Sequence, residues 1–199
     1  MIGRFVATAA TVLVVATMLF SSASAQQSPR ALIENLGGEA IRVLANKEAT
    51  AEEKHARFEA LFGEGFDVPL VARIVLGRYW RSATPEQRDE YVELFRRYVI
   101  DTYTARLNAY SGQTFDVTGE QELSDDETLV RSIIKDPGGP ALKVDWRVLT
   151  DEAEPRIVDV IVEGVSMAIT HRSEFASVIN QSGGIEGLLE KLRAQTGQG

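Results

Sequence analysis

At 199 residues with a formal charge of −8, the chain is long enough for one domain with its own core. It is too acidic for the electrostatics of a nucleic-acid binder or for permanent attachment to an anionic lipid surface. It holds no cysteine, which excludes disulfide bracing and a lipid-modified cysteine, and two histidines are thin material for a metal centre.

Arg4 is the only charge before an apolar run over residues 5–20, and Ala23-Ser24-Ala25 then gives an A-x-A arrangement. This is the layout of a secretory signal peptide over residues 1–25, with cleavage after Ala25. The run is 16 residues long, short of the roughly 20 a spanning helix wants, and includes Thr8, Thr11 and Thr17. The expected product is residues 26–199, one domain with a charge of −9, free in the exported compartment.

Helices come first. Ser28-Pro29 reads as a cap followed by proline at the first helical position, and Leu32, Ile33, Leu36, Ala40, Ile41 and Leu44 recur at helical spacing. Gly37-Gly38 predicts a break in that helix. Thr50 with Glu53 is a capping-box pattern for a second helix carrying Ala56, Phe58, Leu61 and Phe62. A third is expected over residues 68–76, pausing near Gly77. Thr84-Pro85-Glu86-Gln87 is the clearest start signal, for a helix running to about residue 110. Phe95, Val99, Tyr103 and Leu107 form one row of its apolar face at spacing four.

After Ser111-Gly112 the period changes from 3.6 to 2. Strands are predicted over residues 114–119, 128–135, 141–149, 156–162 and 165–170. Asp136-Pro137-Gly138-Gly139 turns the chain between the second and third. Leu142, Val144, Trp146 and Val148 share one face, with Lys143, Asp145 and Arg147 opposite, as in an antiparallel sheet wet on one side. Val158, Val160 and Val162 repeat this with Asp159 opposite, and Val165, Met167 and Ile169 supply a further apolar face. Two short C-terminal helices, over residues 171–195, carry Phe175, Val178 and Ile179, then Ile185, Leu188, Leu189 and Leu192. The class is α+β: helices over 28–110, a curved antiparallel sheet of four to five strands over 114–170, and helices packed on one of its faces.

No catalytic constellation stands out. His55 sits among Glu53, Lys54 and Arg57 on a solvated helix face. His171 and Glu174, at i and i+3, have no third metal ligand beside them. A Ser166–His171–Asp159 triad is writable, but Ser166 lacks the G-x-S-x-G elbow. Gly138-Gly139 has no phosphate-loop context, and Asp125-Asp126-Glu127 reads as a solvated hairpin turn. What remains is an excess of aromatics ahead of the sheet, which suits a solid core or an apolar cavity equally well.

The stretch Val75-Leu76-Gly77-Arg78-Tyr79-Trp80-Arg81-Ser82-Ala83-Thr84-Pro85-Glu86-Gln87-Arg88 resembles the MlaC family, periplasmic phospholipid-binding proteins also called toluene-tolerance auxiliary components. Further blocks follow in order: Tyr110-Ser111-Gly112-Gln113, Asp159 to Met167, Arg172-Ser173-Glu174-Phe175 and Gly183-Gly184-Ile185. The chain departs from the family pattern at Glu154-Pro155-Arg156-Ile157 and Val158.

The resemblance implies an NTF2-like or cystatin-like fold with an apolar cavity between sheet and helices. It implies a periplasmic carrier of one phospholipid at a time, without cofactor or metal. The partners would be an inner-membrane MCE-domain protein of an ABC transporter and an outer-membrane lipoprotein–porin complex, and the role the upkeep of outer-membrane lipid asymmetry. The expected lipid-binding wall is Leu76, Tyr79, Phe95, Val99, Tyr103, Leu107, Val144, Trp146, Val160, Val162, Val165 and Met167. Arg78 and Arg81 are candidates for a phosphate or an acidic partner. Two other readings stay open: an enzyme on the same scaffold, with Asp159 or His171 as its polar group, and a periplasmic chaperone.

Overall fold

The computed structural model describes residues 27–107, 110, 112–150 and 154–197. The predicted signal peptide lies outside the described residues.

Local chemistry starts each helix. Ser28 accepts from the Ala31 amide at the head of α1, Pro29–Ala45. Thr50 and Glu53 form the reciprocal capping box of α2, Ala51–Gly65. Asp67 accepts from Leu70 to open α3, Val68–Leu76. Thr84 and Gln87 repeat the box for α4, Pro85–Leu107. Such caps each contribute about 1 kcal/mol by satisfying otherwise orphaned amides. Helix ends are closed by arginines on the final carbonyls: Arg156 reaches Gly63 and Glu64, and Arg172 reaches Ile74 at 2.8 Å. Gly77, at φ +59°, then diverts the chain into the 3-10 turn Gly77–Arg81.

The sheet is an antiparallel meander in the order β1 Thr114–Ser124, β2 Glu127–Lys135, β3 Leu142–Leu149, β4 Arg156–Val162 and β5 Val165–Ser166. Two helices close the fold, α5 Met167–Gln181 and α6 Ile185–Gln195.

Two hydrophobic cores result. One is helical, built from α3 to α6 around Tyr91, Leu94, Phe95, Phe175, Leu188 and Leu189. The other lies between α1 and the sheet, where Leu32 and Ile33 cover Val130, Val148 and Ile157. Phe66 packs against both, and the Asp67 amide donates to Ile157 O at 3.1 Å, so the cores are stitched at one seam.

Several expectations are corrected. The break at Gly37-Gly38 is absent and α1 is continuous. Gly37 serves a different purpose, because a Cβ there would come within 2.3 Å of the Phe115 ring; the glycine lets α1 lie close on β1. β1 runs on to Ser124, with a register shift between Val117 and Gly119. α4 is described as far as Leu107, and Tyr110 is not helical.

The last strand is only two residues long. Ser166 accepts from the Ile169 amide and Asp159 from the Ala168 amide, so residues 167 onward are helix and not the strand face expected for Met167 and Ile169. On β4, a register shift opposite Arg147 and Val148 puts Ile157, and not Val158, across from Val148.

Candidate functional site

The expected wall residues fall into a helical group and a sheet group. Leu76 and Phe95, each 1% exposed, are buried in the helical core, with Tyr79 and Val99 packed against its margin. The Tyr79 hydroxyl donates to Asn180 and accepts from Arg78, which fixes that ring to α5.

The sheet members do come together. Val144 stands across from Val162, Trp146 from Val160, and Val162 from Val165. The reversal between β4 and β5 needs only Glu163 and Gly164, with φ of 49° and 81°, a pair of left-handed residues that suits a two-residue hairpin. Glu163 is tied back to Lys143 by two bonds, 2.6 and 3.0 Å, which holds the turn beside the start of β3.

Trp146 is the large apolar body on this strip. Its indole N–H donates to Ser132 Oγ at 2.9 Å, and Ser132 donates onward to Val144 O at 2.7 Å. Buried Ser132 therefore satisfies the one polar atom of the indole, leaving the ring free for apolar contact. The strip grades outward: Val144 is buried, Trp146, Val160 and Val162 are half-buried, and Val165 is 54% exposed.

α5 packs against β4 and β5, next to the strip. Tyr103 on α4 and His171 on α5 are joined at 3.1 Å, and the other ring nitrogen of His171 lies 3.0 Å from Glu174. An aromatic series of Tyr103, His171, Phe175 and Phe95, with successive centroids 6.2 to 6.3 Å apart, links this point to the helical core. Met167, half-buried, begins α5. The side chain of Leu107 lies outside the described ones.

The polar candidates have structural employment. Ser166 Oγ donates to Asp159 at 2.5 Å, but His171 bonds to Tyr103 and Glu174, so no Ser–His–Asp relay is assembled. Asp159, 5% exposed, spends its other oxygen on the first turn of α5. His55 pairs with Asp101 at 3.0 Å. Among the described residues no cluster of three His, Asp or Glu side chains is placed to hold a metal ion, and no helix is long and apolar enough to cross a membrane.

A cleft of about 770 Å³ opens between α1, α2, α4 and the approach to β4. It is not the apolar cavity expected between sheet and helices. Arg57 with Glu39 and Arg96 with Glu59, both at 3.2 Å, crowd it with paired charge.

Sequence reasoning missed Ser132 and Ile157. Ser132 was signalled by its place between Val130 and Ile134 on one face of β2; the shift that turns Ile157 inward has no local signature.

Comparisons with known proteins then give the following. The family model described as MlaC protein matches residues 34–194. The intermembrane phospholipid transport system binding protein MlaC of Haemophilus influenzae is 29% identical over 128 residues, 62% of this chain; the chain spans 59% of that protein's length. The toluene tolerance protein ttg2D of Pseudomonas putida is 25% identical over 164 residues, 80% of this chain and 76% of that one. The solved phospholipid-binding protein of Ralstonia solanacearum, in complex with a phospholipid, shares the fold with a TM-score of 0.74 at 23% identity, covering 85% of this chain and 97% of that one.

Proposed function

The chain belongs to the MlaC family, and from that membership we propose that it is a phospholipid carrier. In this reading the leader is removed after Ala25 and residues 26–199 work as one lipid-binding unit in the periplasm. The carrier exchanges single phospholipids with an outer-membrane lipoprotein–porin complex and with the MCE-domain protein of an inner-membrane ABC transporter, and so maintains outer-membrane lipid asymmetry. The observation that carries the reading is the family match over residues 34–194.

Physical chemistry says what such a protein must supply. Exposing an acyl chain to water costs about 0.8 kcal/mol per CH₂, so two tails of about 16 carbons oppose free transit by on the order of 20 kcal/mol. A carrier must cover the tails and can leave the headgroup wet. It needs no nucleophile, cofactor or metal, and the reading assigns none.

The tails are placed against Val144, Trp146, Val160 and Val162, with Tyr103, Leu107 and Met167 contributed by the helices and Val165 at the rim. Leu76, Tyr79, Phe95 and Val99, in or against the helical core, back this wall without touching the tails.

The test is native mass spectrometry of the mature chain purified without detergent. An added mass of one phospholipid, lost on denaturation, is expected. A bare mass, with no uptake from liposomes, would overturn the reading.

A further inference from the structure

The charge of this chain is unevenly spent. Most arginines elsewhere are held by glutamates, as in Arg30–Glu34, Arg57–Glu39 and Arg147–Glu127, while Arg88, Arg97 and Arg131 are not. Among the described residues, Arg73, Arg78, Arg81 and Arg172 form no ion pair, and all four are exposed. They converge on one region. Arg172 of α5 lies across the end of α3, with its Nε on Ile74 O, next to Arg73; Arg78 stacks 4.8 Å over the Tyr79 ring, and Arg81 ends the same 3-10 turn.

The patch has an apolar border. Ile169, three residues before Arg172 on α5, is 53% exposed, and Val165 is 54% exposed just ahead of that helix. Both are β-branched side chains left in water, Ile169 one helical turn from Arg172 and Val165 just ahead of the same helix.

Exposed apolar residues flanked by arginines are the chemistry of reversible adsorption to an anionic bilayer: the guanidinium groups meet phosphates while the apolar side chains enter the headgroup layer. The rest of the molecule strengthens the argument. With a charge of −8 over the whole chain, much of its surface is repelled by such a bilayer, which favours approach where several unpaired arginines gather.

We infer that Arg73, Arg78, Arg81 and Arg172, bordered by Val165 and Ile169, form a docking face for the surface of an anionic phospholipid membrane. The inference rests on the carrier reading for its purpose, since a phospholipid carrier has cargo to exchange there. Contact is transient and salt-sensitive, because the net negative charge opposes permanent residence.

The experiment is flotation of the full mature chain with phosphatidylglycerol-containing vesicles and with pure phosphatidylcholine vesicles, at low and high salt. Binding to the anionic vesicles alone is expected, weakened by salt. Arg73→Gln and Arg81→Gln, neither of which breaks a side-chain bond to the fold, should each lower vesicle affinity about fivefold. Arg42→Gln, the same charge change at a distant site, should lower it little, and Ile169→Ser should weaken binding without altering the salt dependence. Equal binding by all variants, indifference to anionic lipid, or retention by immobilised polyglutamate but not by vesicles would overturn the inference. Native mass spectrometry of the same sample separates the two readings: bound phospholipid without vesicle binding defeats only the docking face, and vesicle binding without bound phospholipid defeats only the carrier.

Discussion

The helical core and the α1–sheet core are built to different standards of closure. Around Tyr91, Leu94, Phe95 and Leu189 the side chains are 0 to 2% exposed, and rings meet edge to face, as Phe95 and Phe175 do at 85°. On the sheet, burial is complete at Val130, Val148 and Ile157 beneath α1 and then declines along the same face through Trp146 and Val160 to Val162 and Val165. One region is finished by its own side chains; the other runs out of helix before it runs out of apolar surface. Stability should therefore reside in the first and binding in the second.

The hardest way to break that division is Phe95→Ala. It should cost about 3–5 kcal/mol in urea unfolding, yet leave one phospholipid per chain in whatever fraction remains folded. If lipid is lost from folded protein, the helical core is part of the pocket and the division fails.

Trp146→Glu is the mirror case. Copurifying lipid should disappear while the far-ultraviolet dichroism is kept, with a stability loss of about 1–3 kcal/mol from the lost indole–Ser132 bond and lost packing. Retained lipid would move the site off the sheet. Gly37→Val tests how closely α1 must lie on the sheet: its added carbons collide with Phe115, and a loss of about 1–3 kcal/mol is expected by thermal melting.

Tyr91→Phe should go the other way. The Tyr91 hydroxyl finds no partner among the described residues, and burial pushes its ionisation well above the usual phenol range. Removing the oxygen should leave stability unchanged or raise it by up to about 1 kcal/mol.

The smallest effect concerns pH. The Arg193 hydrogen bonds hold Glu90 below the usual carboxylate range, so this pair stabilises the fold above the unfolded pKa and ceases to do so as pH falls through the lower, folded one. Because the pair is partly exposed, Arg193→Gln should lower the melting temperature only slightly at neutral pH and not at all at strongly acidic pH.

Much of this was legible where the signals are local. Thr50 with Glu53 and Thr84 with Gln87 announce their helices because each cap bonds within three residues. The alternation of Val144, Trp146 and Val148 announced the sheet face, and the expected sheet members Val144, Trp146, Val160 and Val162 do stand together.

The rest depended on distant partners. Val165, Met167 and Ile169 alternate like a strand, but Asp159 on β4 captures the Ala168 amide and starts a helix. Gly37 reads as a helix breaker until Phe115, far along the chain, explains it. The helical half of the expected wall was the least legible: Phe95 and Tyr103 lie on one row of one helix, and only packing reveals that the first is sealed in while the second meets His171.

The register shifts along β1 have a consequence for the crowded compartment in which such a chain would work. β1 is the outer strand of the meander, and an open outer strand invites another chain to add itself to the ladder. Here the ladder is interrupted between Val117 and Gly119 and again between Glu122 and Ser124, and the stretch between carries Glu120 and Glu122, both exposed. A second copy laid alongside would find broken spacing and like charge at each step. The rim of β1 thus works as a built-in deterrent to fibril-like stacking, in a molecule that must show apolar surface elsewhere.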